Sequence, residues 1–203
     1  SYLQYSGLDT TLKAGDYTLS ATMSAVQIAQ EMQSSISDEV TLVILAGWRM
    51  EEIAGSLPTS GFEITPTEFI QAMSDIPGGY SFSDELPANS LEGFLFPDSY
   101  SMPRQASVNQ LLPKILMNFE TQVNHEIRSG FSRQGLSLYE AVTLASIVER
   151  EAINDEEMPM LASVFYNRLA INQRLASDPT VQYALGYNTQ QATWWTTPLS
   201  LAD

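Results

Sequence analysis

Apolar and polar positions follow two periods along the chain, and the change from one to the other divides it. In "TLKAGDYTLSATMSAVQIAQEM", and again in "VTLVILAGWRMEEIAGSL", an extended stretch and an Ala-Gly turn precede a short amphipathic helix, so the two segments read as a degenerate repeat. The second begins on the β-branched run Val40 to Ile44 and carries Met50, Ile53 and Leu57 at helical spacing. This pattern predicts a small strand-and-helix module and not a long bundle.

Beyond Ser60 the period becomes mostly helical. In "TPTEFIQAM", Thr65 reads as an N-cap, Pro66 as the first helical residue and Glu68 as the return partner of a capping box. The loop "SDIPGGYSFSDELPANS" interrupts regular structure. Ser107 and Gln110 then cap one long helix, whose stripe of Leu111, Ile115, Leu116, Phe119, Val123 and Ile127 runs to Gly130, with Pro113 kinking its early turns. Ser137 and Glu140 form a further capping box and open the helix that carries "LASIVEREA". After a polar break at "INDEE" comes a helix bearing Leu161, Val164, Phe165 and Leu169. Asp178 and Pro179 start a short last helix that Gly186 stops. The fold class expected from this order is α+β, with the strand content at the front.

Composition narrows the functions open to such a chain. At 203 residues and 44% hydrophobic content it has ample material for a core, as one domain or one and a half. Nine basic residues against 24 acidic ones leave a net charge of −15, which repels a polyanion, so nucleic acid is not an expected partner. The absence of cysteine removes disulfides, thiolate chemistry and zinc-thiolate sites. His125 is the single histidine, and its neighbours Phe119, Val123 and Ile127 define another helix face, which makes it a surface residue and argues against a Ser-His-Asp triad or a histidine metal site. No metal and no cofactor are expected. No apolar stretch reaches the roughly 18 to 20 residues that span a bilayer. The ends, at Ser1 and in "TTPLSLAD", carry no capping or closing signal, and the expectation is a piece of a longer chain whose anchor lies elsewhere.

The acidic, basic, acidic triplet Glu149, Arg150 and Glu151 closes an otherwise apolar helical run. Positions two apart on a helix diverge by roughly 160°, so the two glutamates cannot serve one site as a pair. Arg150 falls on the polar side with Thr143 and Ser146, whereas Glu151 lies beyond Ile147 and Leu144, and Glu149 beside Val142 and Ala145. Both carboxylates flank the apolar arc, and geometry does not choose between them. A carboxyl held against apolar groups has its charged form disfavoured by desolvation, which suits it to donate a proton near neutrality. A helix end breaking the surface, with glutamates solvated or paired to Arg150 or Arg168, explains the same letters without any chemistry.

The run "LASIVEREA", followed by "LASVFYNRLAINQRLASDPTVQYALG" and preceded by "LEGFLFPDSY", resembles the MltG/YceG-like family of endolytic murein transglycosylases. The resemblance extends from Lys13 to about Gly186, because "LKAGDYTLSATMSAVQIAQEM" is similar to that family's LysM-like N-terminal region. It implies a small LysM-like strand/helix module, 1–38, followed by a mainly helical catalytic domain, 39–203, truncated at its C-terminal end. By the same resemblance the catalytic acid is the second glutamate of the Glu-x-Glu element, Glu151, and Glu149 is its supporting neighbour. Glu92 matches an acidic position near the active site, with Pro97 and Asp98 in the turn that follows. Tyr166, Asn167 and Arg168 of "FYNRL", and Asp178 and Thr180 of "SDPTV", match positions that line or brace a substrate cleft. Asp178 reads equally well as a helix N-cap, and the "LEGFLFPDSY" stretch as a buried strand or loop fixed by Phe94, Leu95 and Phe96. The chain departs from the family pattern at Ala46, usually a glutamate, and at Ala176, usually a glutamine.

What the resemblance implies for function is non-hydrolytic cleavage of the β-1,4 bond between N-acetylmuramic acid and N-acetylglucosamine. Peptidoglycan strands are then the substrate, and peptidoglycan synthases candidate partners. The place implied is the outer face of the cytoplasmic membrane, reached through an N-terminal anchor absent from this chain. Two other functions stay open: a two-carboxylate hydrolase using Glu151 with Glu92 or Asp98, and a noncatalytic glycan-binding module, favoured if Glu151 is exposed and the Ala-Gly repeats bind. Of the aromatic residues able to stack on sugar rings, Tyr100, Tyr166, Tyr183, Trp194 and Trp195, only Tyr166 is singled out.

Overall fold

A computed structural model describes residues 17, 19–33, 39–75, 78–86 and 90–200. Among them the order is α1 (Ala25–Glu31), β1 (Glu39–Val43), α2 (Met50–Thr59), α3 (Pro66–Ala72), β2 (Ser99–Pro103), α4 (Val108–Gln122), α5 (His125–Arg133), α6 (Leu138–Glu151), α7 (Met158–Ala170) and α8 (Asp178–Leu185). The architecture is α+β, with one two-stranded antiparallel sheet in which Leu42 faces Tyr100 and Val43 faces Ser99. The first Ala-Gly turn, Ala14 and Gly15, lies outside the described residues.

Capping chemistry sets most helix starts where the sequence places them. Ser137 and Glu140 exchange hydrogen bonds at the head of α6, and Ser107 and Gln110 do so at the head of α4. Thr65 takes the N–H of Glu68 at 3.2 Å, with Pro66 in the first turn of α3. Two expectations are corrected. The stripe predicted as one helix to Gly130 is two, because Val123 leaves helical geometry at φ −90°, ψ 61° and Asn124 then caps α5 by accepting from the N–H groups of Glu126 and Ile127. Gly130 sits inside α5. At the head of α8 the N-cap is Ser177, so Asp178 occupies the first helical position and is not the cap.

The core gathers β1, α2, α3, α4 and the loop from Leu91 to Leu95 around Phe82, Phe94 and Phe119, whose ring centroids lie 5.0 to 6.0 Å apart. Alternation in β1 puts Val40 and Leu42 inside and Thr41 and Val43 outside. Helices α6 to α8 form a thinner outer layer. Across all three the buried side chains are Leu138, Ala141, Val148 and Phe165, while Met160 and Ile171 are 68% and 72% exposed. Of the four apolar positions expected to pack α7, Phe165 is buried, whereas Val164 and Leu169 are exposed.

Candidate functional site

A cleft of about 720 Å³ opens between these two layers. Its inner wall is the turn from Ala46 to Met50 with Glu92; its outer wall is the side of α6 that carries Thr143, Ser146 and Arg150, together with Thr180 and Tyr183 of α8. The lining side of α6 thus mixes apolar Val142 and Ala145 with Ser146, Glu149 and Arg150. Trp195 also lines the cleft. Gly47 permits the close approach of the walls: its φ of +74° favours glycine, and a Cβ there would come within 2.9 Å of Arg150 Cδ.

Glu92 sits against the first turn of α2. Its Oε2 accepts the Met50 N–H at 3.1 Å, one of the unpaired donors that give a helix N-terminus its positive end. The Tyr183 hydroxyl interacts with the same carboxyl. Burial nevertheless dominates and pushes the Glu92 carboxyl above its ordinary value, helped by the negative Glu51 and opposed by the Met50 N–H, by Arg49 and by Tyr183. Burial likewise raises the Tyr183 hydroxyl, with the negative Glu92 adding to it.

Arg49 ties the two walls together. Only 7% exposed, it pairs with Glu51 at 3.2 Å, donates to the Tyr183 carbonyl oxygen at 2.8 Å and lies over the rings of Tyr183 and Trp194 at 4.1 and 4.7 Å. Trp195 donates its indole N–H to Glu52 at 3.2 Å, while the Arg150 guanidinium covers its ring at 3.7 Å. The inner turn, the last helix and the tryptophan pair are therefore one connected assembly.

Glu92 and Thr180 line the cleft, and Thr180 also donates to the Ser177 carbonyl oxygen at 2.7 Å. Glu149 lines it too. Glu151 does not: it accepts a 2.9 Å hydrogen bond from the buried Ser177 Oγ and is exposed. The two glutamates so part company as their spacing requires. An apolar enclosure for Glu151 is corrected, because α6 ends at this residue, Ala152 turns extended and the Glu151 side chain is exposed; the desolvated carboxyl is Glu92. Tyr166 donates to the carbonyl oxygen of Gln134, and Arg168 to that of Leu175, which braces the loop before α8. Asn167 and Asp178 are exposed and outside the cleft lining. Asp98 is fastened to Asn118 of α4 at 3.0 Å. Sequence reasoning passed over Arg49, whose signal is a lone base inside the apolar "GWRM" of an acidic chain, and did not single out Tyr183 and Trp195 among the aromatics able to stack on sugar rings.

The model of the YceG-like family matches residues 1–199. An endolytic murein transglycosylase of Streptococcus pneumoniae serotype 2 is 30% identical over 203 residues, covering 87% of this chain and 36% of that protein. One from Bacillus subtilis strain 168 is 25% identical, over 91% of this chain and 54% of that protein. The crystal structure of a yceG-like protein from Listeria monocytogenes superposes with a TM-score of 0.69 at 29% identity, over 99% of this chain and 68% of that one. The chain thus spans about a third to a half of the curated relatives it matches.

Proposed function

The chain belongs to the YceG-like family, and from that premise we propose that it is the murein-cutting part of an endolytic lytic transglycosylase, with Glu151 as its acid and base. The observation that carries the proposal is the cleft, which joins two carboxyls, two guanidinium groups and aromatic faces across two walls. Glu151 directly follows cleft-lining Arg150, and its partner Ser177 stands two residues before cleft-lining Pro179. Ser177 holds one carboxylate oxygen, and the other has no hydrogen-bond partner among the described residues.

In this scheme Glu151 gives its proton to the leaving glycosidic oxygen as the bond to the anomeric carbon of N-acetylmuramic acid breaks. The substrate's 2-acetamido group stabilises that carbon. Glu151, now a base, takes the proton of the 6-hydroxyl as its oxygen closes a 1,6-anhydro ring. One protein carboxyl then suffices, and the enzyme works at the outer face of the cytoplasmic membrane through an anchor outside this chain. A second scheme is favoured by the raised Glu92 carboxyl, which as the acid of a two-carboxylate hydrolase would release reducing ends.

Digestion of purified glycan strands by the parent, E151Q and E92Q proteins, with mass analysis of the ends, separates them. Anhydro ends from the parent, and a loss of about 10² to 10⁴ in E151Q, are expected. Parent-like cleavage by E151Q removes Glu151 from the mechanism. Reducing ends that vanish in E92Q establish the hydrolase, and strand binding without cleavage by the full-length protein supports a binding module, the role that an exposed Glu151 favours only where the Ala-Gly repeats also carry the binding.

A further inference from the structure

Arg150 is an oddly placed cation. In a chain of net charge −15 it makes no ion pair or hydrogen bond with any described residue, although Glu149 precedes it and Glu151 follows it. Its side chain is not loose. It passes over Gly47, where any Cβ would collide with its Cδ, and its guanidinium carbon sits 3.7 Å from the centre of the Trp195 ring, whose indole is itself anchored to Glu52. The other cleft-lining cation, Arg49, is spent on Glu51 and on the backbone of Tyr183. Stacking covers one face of a guanidinium but leaves the N–H groups on its edge free, and these form the planar fork that fits a carboxylate.

Resting on the function proposed above, we infer that Arg150 is a binding residue for a carboxylate of the glycan strand, presented to the cleft by Gly47 and Trp195. It makes the site selective for murein over an uncharged glycan of the same backbone. Murein offers that group from two sources, the carboxylates of its stem peptides and the lactyl carboxylate left when the peptide is removed. Chitin oligosaccharides offer neither.

The test measures binding and cleavage of three ligands by the parent, R150Q and R150K proteins: peptide-bearing strands, amidase-stripped strands and chitin hexamer. Loss of about tenfold or more in affinity by R150Q for a carboxylate-bearing strand is expected, with chitin hexamer unchanged and R150K intermediate. The strand that suffers the loss identifies the source. Equal loss for all three ligands, or for none, overturns the inference even when cleavage proceeds. Arg150-dependent binding with no cleavage by the full-length protein keeps the inference and removes the enzymatic reading. Circular dichroism of both variants verifies that the fold is retained.

Discussion

Glu92 shows how one carboxyl can be well partnered and still costly. It has a backbone N–H, a tyrosine hydroxyl and a nearby guanidinium, yet burial and Glu51 outweigh them and hold its proton more tightly than the unfolded chain does. A carboxyl so raised contributes full stability below its ordinary value of 4.5, and that contribution falls as pH climbs through the native value, because the native state then binds the extra proton. Glu92→Gln keeps an oxygen for Met50 and cannot ionise. Urea titrations should therefore find the variant at least as stable as the parent at pH 7, with the difference closing as the pH falls below 4.5; a clear loss at pH 7 would show that the charged partners dominate. At this scale the sequence exposed the acids better than the bases. Glu92 is legible from its motif, but the clamp made by Arg49 is not, since Tyr183 stands 134 positions away and only the fold unites them.

Helix starts were readable because their causes are local: a hydroxyl, a glutamate or glutamine three residues on, or a proline in the first turn. The break between α4 and α5 was hidden by an apolar stripe that keeps helical spacing through Val123 to Ile127, although Ile127 is exposed and stabilises nothing inside. Periodicity reports a face, not whether anything covers it. Asn124 makes the break, holding two N–H groups at 3.0 and 3.2 Å. Asn124→Ala should cost about 1 kcal/mol in urea unfolding and speed hydrogen exchange at the Glu126 and Ile127 amides. Unchanged exchange at both would mean that α5 is fixed by packing instead. The stretch "LEGFLFPDSY" left strand and loop both open: Phe94 and Leu95 lie in a buried loop, and pairing with β1 begins at Ser99.

For the whole molecule, charge sets the terms. Twenty-four acids against nine bases repel one another more when folded than when spread along an open chain. Raising the salt from about 10 mM to about 100 mM shortens the screening length from roughly 30 to roughly 10 Å. The thermal midpoint should rise over that range, as followed by circular dichroism; a midpoint that falls would show that attractive pairs outweigh the repulsion. The acidic excess is written plainly in the letters, as is the shift from strand-bearing to helical segments. What the letters did not carry is the separation into a thick inner layer and a thin outer one, because the exposure of Met160 or Ile171 depends on neighbours and not on residue type.

That unequal division bears on how the groove holds its shape. One bank is rooted in the aromatic cluster of Phe82, Phe94 and Phe119, while the opposite bank rests on four buried side chains and the Arg49 clamp. Opening of the weaker bank should cost less than global unfolding, which hydrogen exchange along α6 to α8 would read out. A polymer lying across both would bias the pair toward the closed arrangement by mass action, and the recognition site would be finished in part by what it recognises.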